Sequence, residues 1–281
     1  MKKNNTLLVA FILTTAFLNA QSIKLMTYNI RLELASDGEN DWNHRKEFFA
    51  DQVKFYAPDI MGLQEAMPSQ VNYLDTAIKY LKHVGIGREG MNKGEASSIF
   101  YNAAKYKLIV SNTFWLSQTP DTVSKGWDAS FLRVCTYALF TDIKANKSFW
   151  IFNTHLDNDG QIAREKGVKM ILDKIKEVNK KNLPVFFMGD FNSTPDNIVI
   201  INTKKLMSDS KEVSVQKPFG PKGTFNGFNF TKPVTDRIDY IFVPKSGQVK
   251  VNKYAVLSDS DNLRYPSDHL PVFIEASFIN P

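Results

Sequence analysis

The chain has 281 residues, of which 43% are hydrophobic and 12% aromatic, and its formal charge is +6. This composition excludes a disordered chain and indicates a single globular domain over residues 21–281, since no repeat or flexible linker divides it. The one cysteine, Cys135, excludes an internal disulfide, so stability has to come from the core.

The N-terminus has the pattern of a targeting segment. Lys2 and Lys3 precede an apolar run from Leu7 to Leu18, and Ala20-Gln21 is the expected cleavage site. The run is short for a transmembrane helix. Residues 1–20 are therefore predicted to be the signal peptide of an exported protein without a stable membrane span, and an uncleaved anchor is the alternative. Removing them leaves a charge of +4 with scattered lysines, which is typical of solvated surfaces rather than of a nucleic-acid-binding stripe.

Two predicted strands near the start of the mature chain end in polar residues. Ile23 to Ile30 alternates apolar and polar residues, and Asn29 lies at its far end. Pro58 to Glu65 is a short apolar strand that ends in a carboxylate. Asn29 is either a turn former or a polar anchor beside a metal site. Glu65 is either a helix-terminus residue or a ligand for a hard cation such as Mg²⁺ or Ca²⁺.

A predicted helix follows each of these strands. Trp42 to Tyr56 has helical spacing of its apolar residues, with Asp41 or Asn40 as N-cap. The next helix begins with Pro68-Ser69 and covers the segment from Gln70 to Leu81. Polar groups at the ends of buried strands are placed as α/β enzymes place theirs.

The middle of the chain is rich in predicted strands. They cover His83 to Gly87, Ala96 to Tyr101, Lys107 to Leu116, Leu132 to Ile143 and Phe149 to His155. Trp115 and Trp127, beside the loop Ser117 to Ser130, either pack back onto the protein or line a pocket. Arg133 either binds a phosphate, whose oxygens suit a guanidinium, or pairs with a surface acid.

Further polar residues close the next two strands. His155 ends an apolar strand, and a helix from Gln161 to Asn179 follows. Val185 to Met188 is a buried strand that runs into Gly189-Asp190-Phe191-Asn192. Asp190 and Asn192 point the same way if the strand continues. The alternative is an Asx-turn that caps a helix starting at Thr194-Pro195.

The C-terminal part contributes two more acids and a histidine. Asp239 lies inside an apolar strand between Ile238 and Tyr240, where a carboxylate is costly unless it is paired or ligated. Asp268-His269 stands just before the last strand.

These strand-end motifs together resemble the endonuclease/exonuclease/phosphatase superfamily, which includes deoxyribonuclease-like nucleases, deadenylases, neutral sphingomyelinases and inositol polyphosphate 5-phosphatases. The matching pieces are Thr27-Tyr28-Asn29, Gln64-Glu65, Asn153-Thr154-His155-Leu156-Asp157, Gly189-Asp190-Phe191-Asn192, Arg237-Ile238-Asp239-Tyr240 and Ser267-Asp268-His269. Each is short, but all occur in the family's order. The resemblance implies one catalytic domain, with the fold of a four-layer α/β/β/α sandwich of two mixed, mostly antiparallel sheets flanked by helices.

The resemblance also implies a metal and phosphate site. Glu65 resembles the main Mg²⁺ ligand, with Asn29 beside it and Asp268 as a further ligand. Arg133 falls where many members carry a phosphate-binding arginine. Mg²⁺ is the expected ion, with Mn²⁺ or Ca²⁺ as alternatives, and it takes only one or two carboxylates in proteins.

The catalytic roles are implied in the same way. Asp239 and His269 resemble the acid–histidine dyad of the family. Asp190 and Asn192 resemble the pair that positions the attacking water and the phosphoryl oxygens, and His155 resembles the residue that steadies or protonates the leaving oxygen. Hydrolysis of a phosphate ester needs a cation, a base and hydrogen-bond donors, so this residue set agrees with the chemistry.

The sequence favours an exported, monomeric, Mg²⁺-dependent phosphoesterase that acts on diesters. Asp236-Arg237-Ile238-Asp239 lacks the signature of the 5-phosphatases, which disfavours inositol phosphates. The alternatives are a secreted nuclease that binds nucleic acid, a sphingomyelinase-like lipid phosphodiesterase using the Trp115 to Trp127 region, and a non-catalytic binding module on the same fold. A structural or adhesive protein would give no reason for polar residues at each strand end.

Overall fold

The computed structural model describes residues 22–279, so the predicted signal peptide lies outside the described residues. In chain order the elements are β1 (Ser22–Asn29), α1 (Trp42–Tyr56), β2 (Ile60–Gln64), α2 (Pro68–Ala77), β3 (Leu81–Val84), β4 (Ile99–Asn102), β5 (Tyr106–Trp115), β6 (Val134–Asp142), β7 (Ser148–His155), α3 (Gln161–Val178), β8 (Val185–Asp190), α4 (Ile198–Leu206), β9 (Met207–Asp209), β10 (Asp239–Pro244), β11 (Val249–Val256) and β12 (Val272–Phe278). Within residues 22–279, none of the helices has the length and apolarity needed to cross a bilayer.

The strands form two six-stranded sheets with related topologies. The first has the order β11-β12-β1-β2-β4-β3, and the second has the order β5-β6-β7-β8-β10-β9. Each sheet contains one parallel pair, β1 with β2 and β7 with β8, and its other pairings are antiparallel. The prediction of two mixed, mostly antiparallel sheets is therefore confirmed.

Three buried clusters correspond to the three interfaces of a four-layer sandwich. The central cluster joins inward residues of both sheets, among them Leu25 and Phe186. A second cluster packs α1 and α2 on the first sheet, with Phe49 and Leu74 from the helices. A third packs α3 and α4 on the second sheet, with Ile171 among its members. This arrangement confirms the predicted α/β/β/α layers.

Two helix boundaries differ from the sequence predictions. The helix expected to reach Leu81 ends at Ala77, because Leu81 enters the first sheet as the register partner of Asn102. The helix expected to start at Thr194-Pro195 begins at Ile198, where the Asn197 side chain accepts a hydrogen bond from the Val199 N–H. By contrast, α1 has the predicted bounds, and Asp41 is its N-cap.

A polar contact fixes the spacing of the two sheets near the ends of the parallel strands. Asn153 of β7 donates to the carbonyls of Leu63 and Ser98 in the first sheet, at 2.8 and 2.9 Å. Its Oδ1 accepts from Gln64 at 2.7 Å. Gly62 lies opposite, and a Cβ placed there would come within 2.6 Å of Asn153 Oδ1. The sheets therefore approach closely only because residue 62 has no side chain.

Candidate active site

The polar strand ends of both sheets meet at one edge of the sandwich. In the parallel pairs, Asn29 is the register partner of Gln64 and His155 is the partner of Asp190. Antiparallel pairing of β10 with β8 places Asp239 opposite Asp190. Side chains that are far apart in the chain are thus brought together by the carboxyl ends of the parallel strands, as in other α/β sites.

Asn29 connects the two sheets within this site. Its Nδ2 donates to Glu65 Oε1 at 3.1 Å and to Asp190 Oδ2 at 3.0 Å. Glu65 Oε2 accepts from the Leu32 N–H at 3.0 Å. Glu65 has φ +60°, a left-handed conformation that is unusual for a side-chain-bearing residue. Such strain persists only where the surroundings hold it, and it is concentrated at functional sites.

Asp190 lies at the centre of the site. Its Oδ2 is 3.5 Å from His155 Nε2 and 3.8 Å from His269 Nε2, and its Oδ1 accepts from the Asn192 N–H at 2.8 Å. Burial, together with the nearby carboxylate of Asp239, raises the pKa of Asp190 to about 7. A carboxylate with such a pKa can take up and release a proton near neutral pH.

His269 and Asp239 form a buried imidazole–carboxylate pair. The imidazole Nδ1 lies 2.9 Å from Asp239 Oδ2, and both side chains are buried. Burial by itself would lower the pKa of His269, but the carboxylates of Asp239, Asp190 and Asp268 raise it well above its ordinary value. His269 therefore carries a positive charge at neutral pH. Asp239 Oδ1 is buried and lacks a hydrogen-bond partner in the part of the chain that the structure describes.

His155 is held as a neutral imidazole. Burial, followed by the positive charges of Arg133 and His269, lowers its pKa well below the ordinary value. Asn192 Nδ2 donates to His155 Nε2 at 3.0 Å, so the ring proton is assigned to Nδ1. This Nδ1 has no hydrogen-bond partner among residues 22–279. The Nε2 of His155, which faces Asp190 and Asn192, is therefore the acceptor nitrogen of the ring, and Nδ1 is a buried donor.

Asp268 lies on the loop before β12 and is attached to β1. Ser267 Oγ donates to the Asn29 carbonyl at 2.7 Å, which holds the loop beside the end of β1. Asp268 Oδ2 is 4.0 Å from Arg31 Nε. Burial raises the pKa of Asp268, and the Glu65 carboxylate acts in the same direction.

Arg45 lies outside the strand-end motifs and supports this loop. Arg45 of α1 is buried and donates to the carbonyls of Asn40, Ile30, Arg31 and Pro266, which ties the β1 end to the Asp268 loop. Arginine on a helix surface is ordinarily solvated, so no sequence signal distinguished it.

Thr224 has a comparable function beside the dyad. Its Oγ accepts from the N–H groups of Ile238 and Asp239, at 3.1 and 3.2 Å. Its carbonyl accepts from the Leu270 N–H at 2.6 Å. Thr224 therefore fixes the backbone on both sides of the Asp239–His269 contact.

Arg133 is buried rather than paired at the surface. Its Nε donates to Asp157 Oδ2 at 3.3 Å and its Nη2 donates to Asn158 Oδ1 at 2.9 Å. It borders the same narrow crevice as Glu65 and His155. The guanidinium therefore lies beside the reactive groups, where a phosphate-binding role remains a prediction.

The site fits a divalent cation. Asp190, Asp239 and Asp268 are buried and Glu65 is half-buried, so several carboxylates face this edge of the sandwich, and Asp239 Oδ1 has no hydrogen-bond partner among residues 22–279. Asp190, Asp239 and His269 have ligand atoms within 4.8 Å of one another. Oxygen donors of this kind are preferred by Mg²⁺, Mn²⁺ and Ca²⁺.

Asp157 holds the loop that carries Arg133. Asp157→Ala should therefore destabilise the protein by about 3 kcal/mol, because it leaves the buried guanidinium of Arg133 without its charge partner. The Asp157 carboxylate also accepts from the N–H groups of Ser130, Phe131 and Gly160. Urea unfolding measures the loss. Asp173→Ala, which removes an exposed partner of a lysine, is the control and should change little.

The destabilisation caused by Asp157→Ala should become smaller at low pH. Burial raises the pKa of Asp157, but hydrogen bonds from Gly160, Ser130 and Phe131 outweigh it and hold this pKa below its ordinary value. The ionised form therefore stabilises the fold above about pH 4, the unfolded value, and this stabilisation disappears as the pH falls through the lower folded pKa. A wild-type–variant difference that grew toward low pH would contradict this assignment.

Solved structures from bacteria are similar to this chain over almost its whole length. One is a mannosyl-6-phosphatase from Bacteroides thetaiotaomicron, 34% identical, with a TM-score of 0.86, covering 91% of this chain and 100% of that one. Another is an endonuclease/exonuclease/phosphatase from Bacteroides vulgatus, 31% identical, with a TM-score of 0.86, covering 92% and 100%. A curated relative, the Ccr4 exoribonuclease subunit of Kluyveromyces lactis, is 22% identical over 82% of this chain but only 37% of that protein.

The family comparison agrees with the site. The Endonuclease/Exonuclease/phosphatase family matches residues 26–269, which include each of the site residues described above. Enzymes of this family typically depend on a divalent metal. The chain therefore belongs to the Endonuclease/Exonuclease/phosphatase family and is a hydrolase of phosphate ester bonds.

Proposed function

We propose that the chain is an exported, monomeric, Mg²⁺-dependent enzyme that hydrolyses a phosphate ester by attack of water on phosphorus. The observation that carries this proposal is the position of Asp190, which lies between the neutral His155 and the charged His269. This arrangement supplies a proton acceptor with the protonated His269 as a hydrogen-bond donor beside it and the neutral His155 on its other side, as phosphoryl transfer to water requires.

Each residue of the site has a separate role in the proposed reaction. Asp190 orients the water and accepts its proton, and Asn192 fixes the carboxylate through its N–H. His269, held by Asp239, donates a hydrogen bond to a phosphoryl oxygen, and the neutral His155 steadies the leaving oxygen without losing its ring proton. Glu65, Asp268 and Asn29 would hold Mg²⁺, which would supply positive charge to neutralise the phosphoryl oxygens.

The substrate that we propose is a sugar phosphate monoester. The sequence alone favoured diesters, but the mannosyl-6-phosphatase from Bacteroides thetaiotaomicron is 34% identical over nearly the full length of both chains. A phosphodiester in nucleic acid is the second candidate, supported by the more distant exoribonuclease relatives. A lipid substrate is the third candidate and rests on the part of the Trp115 to Trp127 region around the half-buried Trp127, because Trp115 is buried and its indole N–H donates to the Arg88 carbonyl at 2.7 Å.

An assay of the purified mature protein with Mg²⁺ distinguishes these substrates. We expect release of phosphate from mannose 6-phosphate, with much slower hydrolysis of bis-p-nitrophenyl phosphate, duplex DNA and sphingomyelin. Faster hydrolysis of DNA than of the sugar phosphate would replace the first candidate with the second. Lack of hydrolysis of every phosphoester would favour a non-catalytic binding module.

A further inference from the structure

We infer that Arg88, Glu95 and Phe131 form a subsite that binds the sugar part of the substrate and selects an uncharged polyol as the leaving group. This inference rests on the proposed function, because it assigns the part of the substrate beyond the reacting phosphate. None of the three residues belongs to the strand-end motifs.

A short hairpin brings Arg88 and Glu95 to the reaction centre. The Arg88 N–H donates to the Glu95 carbonyl at 2.8 Å, and the Ala96 N–H donates to the Ala66 carbonyl at 2.9 Å. Ala66 directly follows Glu65, so the hairpin is attached beside the predicted metal ligand. The Trp115 indole also donates to the Arg88 carbonyl, which fixes the base of this segment.

Arg88 and Glu95 form a two-point ion pair with little exposure. Their contacts measure 2.9 Å from Nη1 to Oε2 and 2.7 Å from Nη2 to Oε1, and the side chains are 15% and 12% exposed. A carboxylate has about four acceptor positions, and Arg88 uses one on each oxygen. Glu95 therefore keeps capacity to accept hydrogen bonds from hydroxyl groups of a ligand.

Phe131 adds an apolar surface next to this pair. Its ring lies 5.2 Å from the Arg88 guanidinium and 5.5 Å from that of Arg133, yet 46% of the residue is exposed. The Asp157 carboxylate accepts from the Phe131 N–H at 3.1 Å, so the ring stands on a fixed loop. An exposed ring held in place over two charged side chains is suited to pack against a ligand.

The position of the subsite identifies the part of the substrate that it meets. Arg88, Glu95 and Arg133 line a narrow crevice together with Glu65 and His155, which act on the phosphate. A group at its rim is therefore bonded to the reacting phosphate. A polyol would pack its carbon face on Phe131 and donate hydroxyls to Glu95, whereas the next phosphate of a polynucleotide has no hydrogen to donate to that carboxylate.

The test compares substrates that differ only in the leaving group. For mannose 6-phosphate relative to methyl phosphate, which has no hydroxyls, the ratio of kcat/KM should fall about tenfold in Glu95→Gln and in Phe131→Ala. Glu275→Gln, which removes a carboxylate paired with Lys253, and Phe55→Ala, which removes an exposed ring on α1, are the controls and should keep the wild-type ratio. An unchanged ratio in both subsite variants would overturn the inference.

A binding measurement separates this inference from the proposed function. Calorimetric titration with mannose 6-phosphate in excess EDTA, where turnover is prevented, should show weaker binding to both subsite variants than to the wild type and the controls. If the subsite variants bind mannose 6-phosphate more weakly but the Mg²⁺-loaded wild type does not hydrolyse it, the subsite is retained and the sugar phosphatase function is rejected. Equal binding by all variants would reject the subsite even if the wild type is active.

Discussion

Asp190→Asn should lower kcat about 10³-fold on the best substrate, because an amide cannot accept the proton of the attacking water. Asparagine keeps the size of the side chain and an oxygen that can accept from the Asn192 N–H. The loss should therefore fall on kcat more than on KM, since substrate binding does not require the proton acceptor. Steady-state kinetics with mannose 6-phosphate measure both parameters.

The matched control for this variant is Asp196→Asn, which changes an exposed carboxylate in the loop that follows β8. It should retain wild-type kinetics. Circular dichroism of Asp190→Asn should show a folded protein, so the loss is chemical rather than structural. A variant that is folded but keeps kcat near the wild-type value would remove Asp190 from the mechanism.

Removal of divalent metal should abolish activity, with a loss of about 10³-fold or more in EDTA and recovery when Mg²⁺ is added in excess. Glu65→Gln should raise the Mg²⁺ concentration needed for half-maximal activity, because it removes a charged oxygen ligand and leaves one oxygen to accept from either Asn29 Nδ2 or the Leu32 N–H. Titration calorimetry of Mg²⁺ into the protein, without substrate, should show the same weakening.

Glu177→Gln is the control for the metal experiment, since this exposed carboxylate lies on α3 and pairs with Lys174. Its Mg²⁺ requirement should match that of the wild type. Activity that survives complete chelation would contradict the metal-dependent mechanism, and unchanged Mg²⁺ binding by Glu65→Gln would move the metal site to other carboxylates.

The strand ends were the part of the site that the sequence could predict. A predicted strand that ends in a polar residue identified Asn29, Glu65, His155 and Asp190, because burial and strand length leave a local pattern of apolar residues. Their convergence depends on which strands are parallel neighbours, and the family's motif order supplied that information. The structure then places these residues within hydrogen-bond reach of one another or of a shared partner.

The supporting residues left no such pattern. Arg45 is a charged residue in a predicted helix, which is typical of a solvated helix face. In the folded chain, however, its guanidinium donates to four backbone carbonyls. Arg88 and Glu95 lie in a segment interrupted by glycines, where neither helical nor strand periodicity develops. Their pairing follows from a hairpin whose geometry is determined by contacts with Ala66.

The contact of Asn153 with Leu63, Ser98 and Gln64 has a consequence for the integrity of the enzyme. Neither sheet contains a complete set of reactive groups, since Asn29 and Glu65 come from one half and His155 and Asp190 from the other. A fragment that contained only one of the two sheets would therefore be inactive. Mixing complementary fragments would restore activity only if the two sheets reassembled with their native spacing.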